Sequence, residues 1–148
     1  MAKYTIITNS RHGKNYAFEF TEMINGIIAT EQYNEIASAE LHTLTIDEST
    51  DVSVNKYLIL YFKFRVKDTT TYIVFGEILH LLECDANVII KAIKTFYFTH
   101  NIDLYKMVIF TSVGASVMLG RINGVAAQVK QIIPHLIEQH CVAHQEDL

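Results

Sequence analysis

The sequence has no tryptophan, one proline and two cysteines in 148 residues, and each shortage closes off a class of protein. A single proline excludes a Pro-rich linker architecture. Cys84 and Cys141 lie far apart and in no paired motif. They are too few for a disulfide framework and point to a reducing compartment. Basic residues are scarce too: twelve Lys and Arg stand against sixteen Asp and Glu, for a formal net charge of −4. That balance excludes a generally basic nucleic-acid binder, whose footprint is an excess of Lys and Arg. The N-terminal run Met1 to Ile7 lacks the apolar stretch of a signal peptide. The longest uncharged, apolar-rich stretch, Met107 to Gly120, is shorter than the roughly 20 residues a membrane span needs. The expectation is a protein of the nucleus or cytoplasm, neither secreted nor membrane-bound.

What is present is a core. Half of the residues are apolar and 19% are charged, a balance that favours a packed domain over disorder. The length suits one domain at about 100–200 residues each. The last residues, His144 to Leu148, follow directly on an apolar stretch, which fits either a complete domain or one cut short.

Residues 1–20 are mixed, with Ser10 to Asn15 reading as a loop. Residues 21–38 read as a helix: Thr21 is placed to cap it, and Ile24, Ile27, Ile28 and Ile36 recur at helical spacing. Leu41 to Asp47 alternates and is rich in β-branched residues, so it reads as a strand ending on a carboxylate. Tyr57 to Val66 is a stronger strand. Its second half sets Phe62, Phe64 and Val66 against Lys63, Arg65 and Lys67, which predicts one wet face. Asp68 and Thr69 make the turn into a third strand, Thr70 to Leu82. The period then changes. Asp85 is placed to cap a helix from Ala86 to Phe98 with Ile89, Ile90 and Ile93 on one stripe. Met107 to Thr111 reads as a buried parallel strand. Asn123 opens a helix carrying Val125, Ala126, Val129, Ile132 and Ile133 inward, and Pro134 stops it. Glu138 to Ala143 is a fifth strand.

A meander of three antiparallel strands followed by two crossover helices gives an α/β fold with a mixed sheet and flanking helices. Right-handed crossovers place strand four beside strand one. The end of strand one, at Asp47, then lies near the end of strand four, at Ser112 to Gly114, where open α/β sheets bind ligands.

Three constellations could carry chemistry there or nearby. Asp47, Glu48 and Asp51 put three carboxylates within five residues, a set suited to a divalent cation, or simply to a solvated turn. The small-residue run from Ser112 to Ser116 lacks the Gly-Lys-Ser/Thr of a phosphate loop and the second glycine of a nucleophile elbow. Ser116 is a weak nucleophile candidate, and close packing through Gly114 and Ala115 explains the run as well. Cys141 and His144, with His135 or His140, have the spacing of half a zinc site, although alternation on a regular strand would point Cys141 and His144 apart.

The run Leu44-Thr45-Ile46-Asp47-Glu48-Ser49-Thr50-Asp51, followed by Asn55 to Tyr61, resembles the start of the transposase domain in hAT-superfamily elements. The likeness is greatest to the branch domesticated in animals as zinc-finger proteins with a hAT dimerisation region. Thr111 to Gly120 and Ile133 to His144 resemble the same branch, in the same order and at the same spacing. The resemblance covers roughly residue 15 to the end. It implies a ribonuclease-H-like fold and two-metal phosphoryl transfer on DNA, in which two aspartates and a distant glutamate hold Mg²⁺ ions about 3.5–4 Å apart. The first aspartate of the pattern falls on Asp47. The second falls in a run that usually reads Thr-Ser-Asp-Gly-Ala-Ser, and here that position is Val113. The third lies downstream of the last residue, Leu148. Cys141 and His144 keep the pattern's Cys-x-x-His, for which the resemblance implies a structural or metal-supporting role.

The expectation is therefore a partial ribonuclease-H-like core over residues 21–148, with 1–20 a poorly defined extension. It would be catalytically inactive and transposase-derived, with Asp47 a vestigial metal ligand and no cofactor bound, although active relatives use Mg²⁺. DNA binding would be weak or absent at this charge. A protein partner, or self-association through an exposed sheet edge, is the alternative role. A residual Mg²⁺-dependent nuclease using Asp47 with Glu48 or Asp51 is a third.

Overall fold

A computed structural model of the protein describes residues 13–66, 70–112, 116–120 and 123–140. The elements are helix α1 (Gly13–Ser38), strands β1 (His42–Thr50), β2 (Lys56–Val66) and β3 (Thr70–Leu81), helix α2 (Ala86–Thr99), strand β4 (Met107–Ser112), a single-turn helix α3 (Ser116–Leu119), helix α4 (Val125–Ile132) and strand β5 (Ile137–His140). The strands form one mixed sheet in the order β3-β2-β1-β4-β5. β1, β2 and β3 are an antiparallel meander, and β4 and β5 run parallel to β1. Strand four lies beside strand one, in parallel, as expected from the sequence.

Alternation decides which way the strands face. His42, Leu44 and Ile46 of β1 and Leu58, Leu60, Phe62 and Phe64 of β2 all point to one side and are buried. The register stacks them in pairs, Leu44 opposite Phe62 and Ile46 opposite Leu60. Helix α2 supplies the other half of this core with Ile89, Ile90, Ile93, Phe96 and Tyr97. Phe62 and Phe96 stack with ring centres 5.6 Å apart. Burying each such side chain contributes about 1.5–3 kcal/mol. Val125, Ala126 and Val129 of α4 join the same core.

Local chemistry sets the ends of the helices. The Asp85 side chain accepts a hydrogen bond from the Asn87 amide at the start of α2. Helix α4 ends at Ile132, and Ile133 leaves the helical region (φ −121°, ψ 86°), as the residue before Pro134 must. The meander is pinched at one point. The β2–β3 register shifts between Leu60 and Tyr61, and Gly76 fills the irregularity. A Cβ on Gly76 would come within 2.8 Å of Phe62 Cε2, so only glycine fits against that ring.

The chain divides into two compact units, one up to Glu31 and one from Gln32 onward. In the first, α1 is already helical at Gly13, and Phe18, Phe20, Met23 and Ile27 are exposed. In the second, the last residues of α1 anchor by Ile36, which is fully buried, and by Tyr33, whose hydroxyl donates to the Gly76 carbonyl at 2.9 Å.

Four sequence expectations change. Gly13, Lys14 and Asn15 belong to a helix, not a loop. Thr21 is not a cap; it sits mid-helix and donates back to the Ala17 carbonyl at 2.8 Å. The first strand does not end at Asp47 but continues to Thr50, because Asp47 to Thr50 pair with Ile59 to Lys56. Asn123 does not open the second crossover helix; Gly124 is its N-cap, without a side-chain bond. Among the described residues no helix is long and apolar enough to cross a membrane.

Candidate functional site on the open sheet face

The face of the sheet opposite the core stays open. Tyr61, Ile73, Phe75 and Ile78 are all exposed on it. Asp47 points to this face, in step with Thr43 and Thr45, and is partly exposed opposite Ile59. Thr45 pairs with Thr111 on β4, so the carboxyl end of the β1–β4 pairing, close to the end of β4, lies two residues before Asp47. This is the place where open α/β sheets hold ligands. The expected partner position, Val113, lies outside the described residues, as do Gly114, Ala115, Cys141 and His144. Ser116 begins α3, and His135 and His140 are exposed, His140 on β5.

The three carboxylates of the Asp47–Asp51 segment do not converge. Glu48 follows Asp47 on a strand and so points to the opposite face, opposite Leu58. There it meets Cys84. Partial burial first, then the hydrogen bond to the Glu48 carboxylate and its negative charge, push the Cys84 thiol up to about 11. Asp51 is spent on its own turn. Its Oδ1 accepts from the Ser53 and Asn55 amides, both at 2.8 Å, and its Oδ2 from Asn55 Nδ2 at 2.9 Å. The Asn55 side chain above all, with these amides, holds its carboxyl below the usual carboxylate range. This closes a turn in which Val54 takes a positive φ of 65°. Among the described residues no group of three or more His, Cys, Asp or Glu is placed to hold a metal ion.

On the core face, at the other end of β1 from Asp47, lies a polar pair that sequence reasoning passed over. His42 is buried, with Nε2 2.9 Å from the Tyr97 hydroxyl and Nδ1 without a hydrogen-bond partner among the described residues. Burial, reinforced by the Lys106 ammonium and opposed by Asp103, lowers His42 to about 4, so it is neutral at pH 7. Its signal was positional: His42 shares the parity of Leu44 and Ile46, the two residues that define the core face. Ser112, at the end of β4, also buries a hydroxyl that has no hydrogen-bond partner among the described residues. A second pair, Glu77 and His100, lies 3.7 Å apart between β3 and α2.

A three-stranded meander, parallel strands added beside β1, and an aspartate on β1 at the carboxyl end of the β1–β4 pair define a ribonuclease-like α/β domain. The comparison with family models agrees, and residues 4–124 match the ZMYM1/FAM200 RNase-like domain. The chain belongs to that family. No curated protein matches it.

Proposed function

We propose that this chain is a hAT-transposase-derived domain, a transposon remnant or a domesticated fragment, that no longer performs metal-dependent strand transfer. One observation carries the reading: among the described residues Asp47 stands apart from the two acids nearest it in sequence. Glu48 points to the other side of the strand, Asp51 is bonded into a turn, and position 113 is valine. A two-metal site clamps the attacking and leaving oxygens with several carboxylates, and one cannot neutralise two divalent cations. Between Lys106 and Lys130 there is no acid to substitute for the missing one. The family membership supports a transposase-derived origin at the level of an RNase-like domain. With catalysis gone and a net charge of −4, protein binding in the nucleus or cytoplasm becomes the favoured role, and phosphate attraction is weak. Cys141 and His144 are proposed as structural.

Titration with Mn²⁺, followed by the ion's paramagnetic resonance signal, tests this. The expected outcome is no site tighter than about 1 mM, and no change on Asp47→Asn. Val113→Asp alone leaves cleavage absent, because among the described residues no further carboxylate is placed to complete a metal site with Asp47. A micromolar site that disappears with Asp47→Asn would defeat the reading.

A further inference from the structure

We propose that the groove between the free edge of β3 and helix α2 takes an extended peptide segment of a partner protein, which joins the sheet as a sixth strand. The inference rests on the protein-binding reading above and gives that role a site and a ligand class.

β3 pairs with β2 on one side, and among the described residues no strand lies on the other. Its twelve residues include one acid, Glu77, and no lysine, arginine or proline. Natural sheets blunt edges of this length with such residues, and here they are missing. The outward amides and carbonyls of an edge strand are met in regular succession only by another strand. The Gly76 carbonyl is already taken by the Tyr33 hydroxyl at the bulge, which blocks the edge there. The free stretch is Glu77 to Leu81, about 16 Å at 3.3 Å per residue. It suits a short peptide.

Alongside this stretch lies a cavity of about 710 Å³, within the roughly 300–1,000 Å³ range of ligand sites. Leu79 and Leu81 form its strand wall, and Val88, Ala92 and Phe96 its helix wall. A strand laid against β3 would turn every second side chain toward this space. The lining sets the chemistry of those side chains: apolar and of moderate size. Carboxylates stand on the strand side at Glu77 and beyond its end at Glu83, with Lys91 on the helix wall. The complementary segment is an alternating apolar strand with a basic residue at each end. A second copy of this chain fits less well. Its own α2 is packed on its β3 and would arrive with it, whereas a bare peptide brings only side chains into the groove.

The test uses the full chain, isotopically labelled, and the capped heptapeptide Lys-Thr-Val-Thr-Val-Thr-Lys as probe, whose Lys and Val side chains share one face. Saturable amide shifts are expected over Glu77 to Leu82 and along the Val88 to Thr99 helix wall. N-methylation of the peptide amides that face β3 should weaken binding at least tenfold. Ala92→Lys should do the same with an unchanged melting curve, and the exposed Thr95→Lys serves if Ala92→Lys fails to fold. Three results would overturn the proposal: no saturable shift, equal binding of the N-methylated probe, or shifts confined to the open sheet face. A concentration-dependent doubling of mass that Thr95→Lys abolishes would overturn it in favour of a second copy. DNA cleavage by the chain would refute the non-catalytic reading and leave the groove result standing, so the two can fail separately.

Discussion

Strand β2 has two faces with different duties. Leu58, Leu60, Phe62 and Phe64 are at most 2% exposed, while Tyr61, Lys63 and Arg65, which alternate with them, are exposed. The backbone is the same, but only one face packs against helix α2. β1 divides the same way, with Leu44 and Ile46 in the core and Asp47 on the open side. Stability therefore resides on one face and the candidate chemistry on the other. A change to the open face should spare the fold, and a change to the covered face should remove it.

The largest effect expected tests that division on adjacent residues. Phe62→Ala empties a site in contact with Phe96 and Tyr97 and should cost about 3–5 kcal/mol in urea denaturation. Tyr61→Ala, one residue away, should cost about 1 kcal/mol or less through its edge contact with Phe75. Equal costs would end the two-face account.

Next is acid sensitivity beneath the covered face. His42 titrates near 4 in the folded chain and near 6.5 when unfolded. As pH falls below 6.5 the unfolded chain takes up the proton first. The contribution is complete above about pH 6.5 and drains away down to about pH 4, for a loss of about 3 kcal/mol. Thermal melts across that range should show the loss in the wild type and a flatter profile in His42→Gln. Gly76→Ala should cost about 1–3 kcal/mol in the same melts, because the new Cβ meets the Phe62 ring. Asp47→Asn, on the open side, should stay within about 0.5 kcal/mol.

Much of this was legible in the sequence, for identifiable reasons. Leu44, Ile46, Phe62 and Phe64 announce the covered face because strand alternation has a fixed period. The place of β4 beside β1 agrees with the expected topology, and the start of α2 and the end of α4 follow from Asp85 and Pro134. Cross-strand pairing hid the rest. Asp47-Glu48-Ser49-Thr50 has the composition of a turn, yet Ile59, Leu58, Tyr57 and Lys56 hold it in the sheet, so tertiary contact overrides local preference. The site suffered from the same error. Read as a turn, the three acids could converge; held in a strand, Asp47 and Glu48 must diverge. His42 was hidden in another way, since its partner Tyr97 is 55 residues away and no local pattern joins them.

The most direct test of the central claim is cleavage itself. Supercoiled plasmid incubated with the chain and Mg²⁺ or Mn²⁺ should stay intact, with wild type and Asp47→Asn indistinguishable from buffer. Nicking by the wild type that depends on the metal and disappears in Asp47→Asn would contradict the reading of Asp47 as a lone, inactive carboxylate.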